Sequence, residues 1–126
     1  MVPPDLAALD SLTEAVESGA GLPEVVRAAA RALDASLVLI DRTSQVLAVA
    51  ARSPAEEQAL LAGGDGIETL ELRLADEEVG RLRARLRGEP APAVMRLVTA
   101  LIASEVERVR APQRASAQAV ETFVRR

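Results

Sequence analysis

Apolar positions in this chain switch between helical spacing and strand alternation, and the switches mark its elements. Leu6, Leu9, Leu12 and Val16 fall near one face of a first helix that starts after Pro4, with Asp5 as its cap and Gly19 as its stop. In "GLPEVVRAAARALDA", Pro23 suits a first helical turn. Val25, Val26, Ala29, Ala30 and Leu33 then face inward, while Arg27 and Arg31 fall on the other side. Two amphipathic helices need a surface to lie on, and the next segment supplies it. "SLVLIDRTSQVLAVAARS" holds two apolar runs apart with four polar residues. Leu37 to Ile40 is a continuous apolar run, which predicts a strand covered on both faces. Asp41 to Ser44 reads as a turn and Gln45 to Ala50 as the return strand.

Ser53-Pro54-Ala55-Glu56 reads as a capping box with proline at the first helical position, opening a short helix to about Ala62 that Gly63-Gly64 ends. Leu70, Leu72 and Leu74 alternate with Glu71 and Arg73, Ala75 to Glu78 reads as a second turn, and Gly80, Leu82, Ala84 and Leu86 alternate with Arg81, Arg83, Arg85 and Arg87. This second hairpin should have one apolar face and one wet, charged face. After "GEPAP" a long helix is predicted from about Ala91 to Arg110. Its apolar residues, Val94, Met95, Leu97, Val98, Leu101, Ile102, Val106 and Val109, cover more than a narrow stripe. Such a surface asks for two partners, the chain's own sheet and a second chain. Ala111-Pro112 is expected to interrupt the helix, and a segment from Arg114 to Arg126, with Val120, Phe123 and Val124 at helical spacing, reads as a connector. The predicted class is α+β: an antiparallel sheet of about four strands in two hairpins, with amino-terminal helices and a long carboxy-terminal helix packed on it. Residues 1–111 form the domain and 112–126 the start of the connector.

Composition narrows the chemistry. The 126 residues include no His and no Cys, so the commonest proton shuttle, metal ligand and thiolate nucleophile are all missing. Tyr, Trp and Lys are also absent, and Phe123 is the single aromatic residue. Schiff-base chemistry and aromatic stacking are excluded, a non-enzyme is expected, and no cofactor is implied. All fifteen basic residues are Arg, which with abundant Ala and Val points to a GC-rich bacterial source. A net charge of -4 argues against contact with nucleic acid by a general basic surface. No run approaches the roughly 18 apolar residues of a membrane span, and "MVPPDLAALD" lacks the basic and apolar regions of a signal peptide. The expected location is the cytoplasm.

Each candidate site has a plainer reading beside it. Gly63-Gly64-Asp65-Gly66 could cradle a phosphate, but no helix follows it and no P-loop Lys or Ser/Thr stands after it; a helix stop and loop account for it. The four alternating arginines would form a basic stripe, which Glu71, Glu77 and Glu78 on the same hairpin could neutralise. Adjacent Glu56 and Glu57 point different ways on a helix, and the cap explains Glu56. Asp41 has local work opening a turn. The feature with functional weight is the wide apolar helix. With the first helix beside it, Leu9, Leu12, Val94, Leu97, Leu101, Ile102 and Val109 are the expected homodimer seam.

The order helix, helix, hairpin, short helix, hairpin, long helix resembles the GAF-like sensory domains of bacterial signalling proteins. It is most similar to the amino-terminal domain of PucR/CdaR-type transcriptional regulators of actinobacteria. The resemblance is carried by "LPEVVRAAARALDASLVLIDRTSQVLAVA", "VGRLRARLRG" and the exit "LVTALIASEVERVR...VETFVRR". It implies a non-catalytic signal-sensing and dimerisation domain with a small-molecule effector. DNA would be bound by a separate carboxy-terminal helix-turn-helix domain, and membranes would not be involved. Ser44 stands where family hairpins often carry Gly, which implies a steric cost if that position needs positive φ. Between the hairpins, this chain carries only the capped helix and Gly63 to Gly66, where full-length GAF domains carry additional strands and long loops. A ligand-free roadblock/longin-like dimeric scaffold is the alternative. Two helices before the first strand favour the GAF-like arrangement.

Overall fold

The computed structural model describes residues 4–124, and the side chains of residues 7–109. Asp5 and Leu6 in the first helix, and Val120, Phe123 and Val124 in the last, lie outside the described side chains. The elements run α1 (Pro4–Glu17), α2 (Leu22–Leu33), β1 (Ala35–Asp41), β2 (Val46–Ala50), α3 (Pro54–Ala62), β3 (Glu68–Leu74), β4 (Glu77–Leu86) and α4 (Pro92–Val124). The strands form one antiparallel sheet in the order β2-β1-β4-β3. Strands β1 and β4 join the two hairpins at the centre, in register from Ala35↔Leu86 to Asp41↔Gly80.

A central position explains the unbroken apolar run of β1. Leu37 and Leu39 point to one face and Val38 and Ile40 to the other, and all four are buried. The first face meets α1, α2 and α4 through a core that includes Leu12, Val25, Val26, Leu33, Leu72, Leu82, Val98, Ile102 and Val106. Small residues at Ala28, Ala29, Ala32, Ala35, Ala48, Ala84 and Ala103 are buried in the same core and let helices and sheet approach closely. Val38 and Ile40 meet Leu60 of α3, with Val49, Ala51, Leu61 and Ile67 packed around them.

The second hairpin turns more tightly than its pattern predicts. Strand β4 begins at Glu77, so the loop is only Ala75-Asp76, with Ala75 held at a φ of 57°. The register then slips between Leu72↔Gly80 and Arg73↔Glu78, which leaves Val79 unpaired and buried in the core. This bulge breaks the strict alternation, which is why the pattern reads as a longer turn. Next to it, a Cβ on Gly80 would stand 2.6 Å from the Ile40 carbonyl oxygen. Only glycine allows β1 and β4 to pair that closely.

Helix α4 is continuous across Ala111-Pro112 where an interruption is expected. Proline removes one i→i−4 hydrogen bond, yet the flanking Arg, Ala, Gln and Glu residues are good helix formers that carry the helix on either side of it. Among the described side chains, the last α4 residue in the core is Val106. The expected seam also divides. Leu12 and Ile102 are fully buried inside the chain's own core, so neither can face a partner. Leu9, Val94 and Leu101 are half-buried against that core, and Leu97 and Val109 are exposed at 46% and 40%.

Candidate functional site

The chemistry of this chain collects on the sheet face under α3 and at the end of the sheet where β1 begins. Local sequence puts it there. Ser53 is extended and its hydroxyl accepts a hydrogen bond from the Glu56 N–H at 3.1 Å, while Pro54 opens the helix, so the amino end of α3 forms as its motif predicts. The reciprocal half of the capping box is absent. Instead, the Glu56 carboxylate accepts from the Arg52 N–H at 2.8 Å and from the hydroxyl of Ser36, twenty residues earlier on β1. Its second oxygen stands 4.0 Å from Arg85 on β4. Glu56 is thus a tie between α3 and the sheet, with its side chain only 12% exposed. The Ser36 hydrogen bond, then the Arg52 N–H, hold its carboxyl below the usual value of 4.5 against the opposing effect of burial, with Arg87 and Arg85 adding smaller attractions.

The arginine stripe does not pair across its own hairpin. Arg81 donates to the Ser44 hydroxyl at 3.1 Å. Arg83 reaches under α3 and donates to the Leu61 carbonyl, where a cation meets the negative end of the helix dipole. Arg85 approaches Glu56, and Arg87 lies 3.5 Å from Asp34 and donates to Ser36 at 2.9 Å. Among the acidic residues of the hairpin, Glu71 pairs with Arg73 on its own strand and Glu77 with Arg42 in the first hairpin. Neutralisation across the hairpin is therefore not what the stripe is for. Its arginines fasten the sheet to α3, to the first turn and to the end of α2.

These ties meet at one end of the sheet. Asp34 ends α2 in a left-handed conformation, with its N–H on the Ala30 and Arg31 carbonyls. A polar chain then runs from Asp34 through Arg87 and Ser36 to Glu56 and the Arg52 N–H. Beside it lies an open cleft of about 590 Å³, lined by Arg27, Arg31, Asp34, Ser36, Arg52 and Arg87 over a floor of small apolar residues from Ala30 to Ala51.

No family model and no curated protein sequence matches the chain. A solved structure does: the GAF domain from Acinetobacter phosphoenolpyruvate-protein phosphotransferase aligns with a TM-score of 0.56, over 90% of this chain and 99% of that one, at 12% identity. The fold is GAF-like.

Within this GAF-like fold the plainer readings of Gly63 to Gly66 and Asp41 hold. Gly63 caps α3 at a φ of 70°, with its N–H on the Ala59 carbonyl. Asp41 accepts hydrogen bonds from Thr43 N–H at 2.8 Å, Thr43 Oγ1 at 2.7 Å and Gln45 N–H at 2.9 Å, the pattern of an Asx turn. Ser44 does adopt positive φ, at 67°. Sequence reasoning missed Glu56 as a tie and the cleft as a whole. The outward position of Arg27 and Arg31 on α2 was a usable signal, but their convergence with Arg52 and Arg87 depends on which strand ends meet.

Proposed function

We propose that this chain is a non-catalytic regulatory domain that senses a signal and dimerises. More finely, we propose that it belongs to a bacterial transcriptional regulator of PucR/CdaR type from an actinobacterium, works in the cytoplasm, and leaves DNA binding to another domain. The observation that carries this reading is the course of α4. The helix packs on β3, β4, α1 and α2, with core residues as far as Val106 among the described side chains, and its helical backbone continues to Val124. A helix packed against the sheet over its first turns and continuous over 33 residues can pass a small shift along its length. A catalytic role finds no support in a chain without His, Cys, Lys or Tyr. No helix among the described residues is long and apolar enough to cross a membrane.

Exposed Leu97 and Val109, with half-buried Leu9, Val94 and Leu101 beside them, are the residues through which two copies would associate. Light scattering on the purified chain at micromolar concentration should give the mass of a dimer, and Leu97→Glu should return the mass of one chain. A thermal-shift screen of small metabolites should find a stabiliser. A monomer at all concentrations, together with no stabiliser, would overturn the reading.

A further inference from the structure

We propose that the cleft at the end of the sheet binds a compact, non-aromatic oxyanion with two or more negative charges. This deepens the sensing reading above and rests on it for its biological purpose, though not for binding itself. Four arginines line the cleft, Arg27, Arg31, Arg52 and Arg87, against one acidic residue, Asp34. That is a local excess of positive charge in a chain whose net charge is -4. Two of the four are committed elsewhere: Arg27 pairs with Glu24 on its own helix, and Arg87 with Asp34 and Ser36. The guanidinium groups of Arg31 and Arg52 have no hydrogen-bond or ion-pair partner among the described residues. They come from different elements, α2 and the segment between β2 and α3, and both residues line this cleft; Arg31 also borders a groove with Glu14 and Glu24, and Arg52 one with Glu57.

The chemistry of the lining sets the class of ligand. Guanidinium groups bind phosphate and carboxylate oxygens through paired N–H donors, and like charges gathered around one space favour an anion between them. At about 590 Å³ the cleft falls within the range of roughly 300–1,000 Å³ typical of small-molecule sites. No aromatic ring lines it, so nothing stacks on a base or ring. The small floor of Ala30, Ala35, Val49, Ala50 and Ala51 suits a short aliphatic body. Asp34 is available to accept from a hydroxyl on that body, its side chain being 71% exposed. Ser36 and Arg87 belong both to the cleft and to the chain of contacts ending at Glu56, so occupancy is felt at the start of α3.

The test is calorimetry and thermal shift on the full 126-residue chain. The probes are inorganic phosphate, glycerol 3-phosphate and citrate, each against sodium chloride at matched ionic strength. Saturable binding of at least one oxyanion is expected, with the phosphate and citrate arms deciding between phosphate and carboxylate ligands. The double variant Arg31→Gln/Arg52→Gln should weaken that binding by about tenfold or more. It removes two groups with no partner among the described residues, so its unliganded melting temperature should match the parent's. Arg73→Gln, on the far edge strand, should bind as the parent does. The proposal is overturned if no oxyanion acts beyond the chloride control, if binding never saturates, or if the double variant binds unchanged. A metabolite that stabilises the parent and the double variant equally would remove the cleft assignment and leave the sensing reading standing. Arginine-dependent binding to a protein that is always monomeric would do the reverse for dimerisation.

Discussion

The two faces of the sheet are built on different principles. One is dry: α1, α2 and α4 cover it with Leu, Val, Ile and Ala in close contact. The other is crossed by a single nine-residue helix, α3, with one fully buried residue, Leu60. Polar ties hold that helix at both ends, Glu56 to Ser36 and Arg85 near its start, and Arg83 to its terminal carbonyls. Close packing is cooperative and costly to disturb, whereas a helix held by a small apolar contact and exchangeable polar ties can loosen while the rest stays folded. The first face is therefore the tightly packed one and the second the more loosely held, the side on which Glu56 joins the cleft.

The largest loss is expected on the dry face. Leu82→Ala empties a fully buried position on central β4 and should cost about 2–5 kcal/mol in denaturant unfolding. Leu60→Ala should instead expose α3 locally and lower global stability by less; equal global losses would mean the two faces unfold as one. Next in size is Gly80→Ala, expected to cost about 1–3 kcal/mol because the new methyl group meets the backbone oxygen of Ile40. Thermal melts of both proteins would show it.

Glu56→Gln sharpens the contrast, with a loss of about 1 kcal/mol confined to α3. Its pH signature has a definite sign. The folded state depresses this carboxyl's pKa, so its contribution is present above the ordinary value of 4.5 and is lost as the pH falls through the lower, folded value. Stability curves should therefore drop on the acid side of 4.5 in the parent and drop less steeply in the variant. The two smallest effects are gains. Ala75→Gly relieves a left-handed alanine in the tight turn and should stabilise by about 0.5 kcal/mol. Ser44→Gly should gain less, since it gives up the hydrogen bond from Arg81.

The dry face was legible in the sequence because periodicity encodes which side of an element is covered. The apolar run Leu37 to Ile40 identified a doubly covered strand, and the alternation from Gly80 to Leu86 identified its neighbour's core face. The polar face was legible only in its parts. The Ser53 cap, the Asp41 turn and the Gly63 stop are local devices whose partners lie within four residues. Glu56 had an equally good local explanation, and it was displaced by Ser36, which no short-range pattern could pair with it. Likewise, the arginine stripe found partners outside its hairpin because the β1–β4 pairing brings Asp34, Ser36 and α3 within reach. The expected seam lost Leu12 of α1 and Ile102 of α4 for a related reason: a wide apolar surface is also what helices packed together on a sheet require.

Native-state hydrogen exchange of α3 amides against those of β1 and β4, in the parent and in Glu56→Gln, tests the division of labour most directly. The account predicts that α3 exchanges through an opening of lower free energy than the central strands, and that the substitution accelerates α3 while leaving the strands almost unchanged. Identical exchange free energies in all three elements, falling together in the variant, would contradict it.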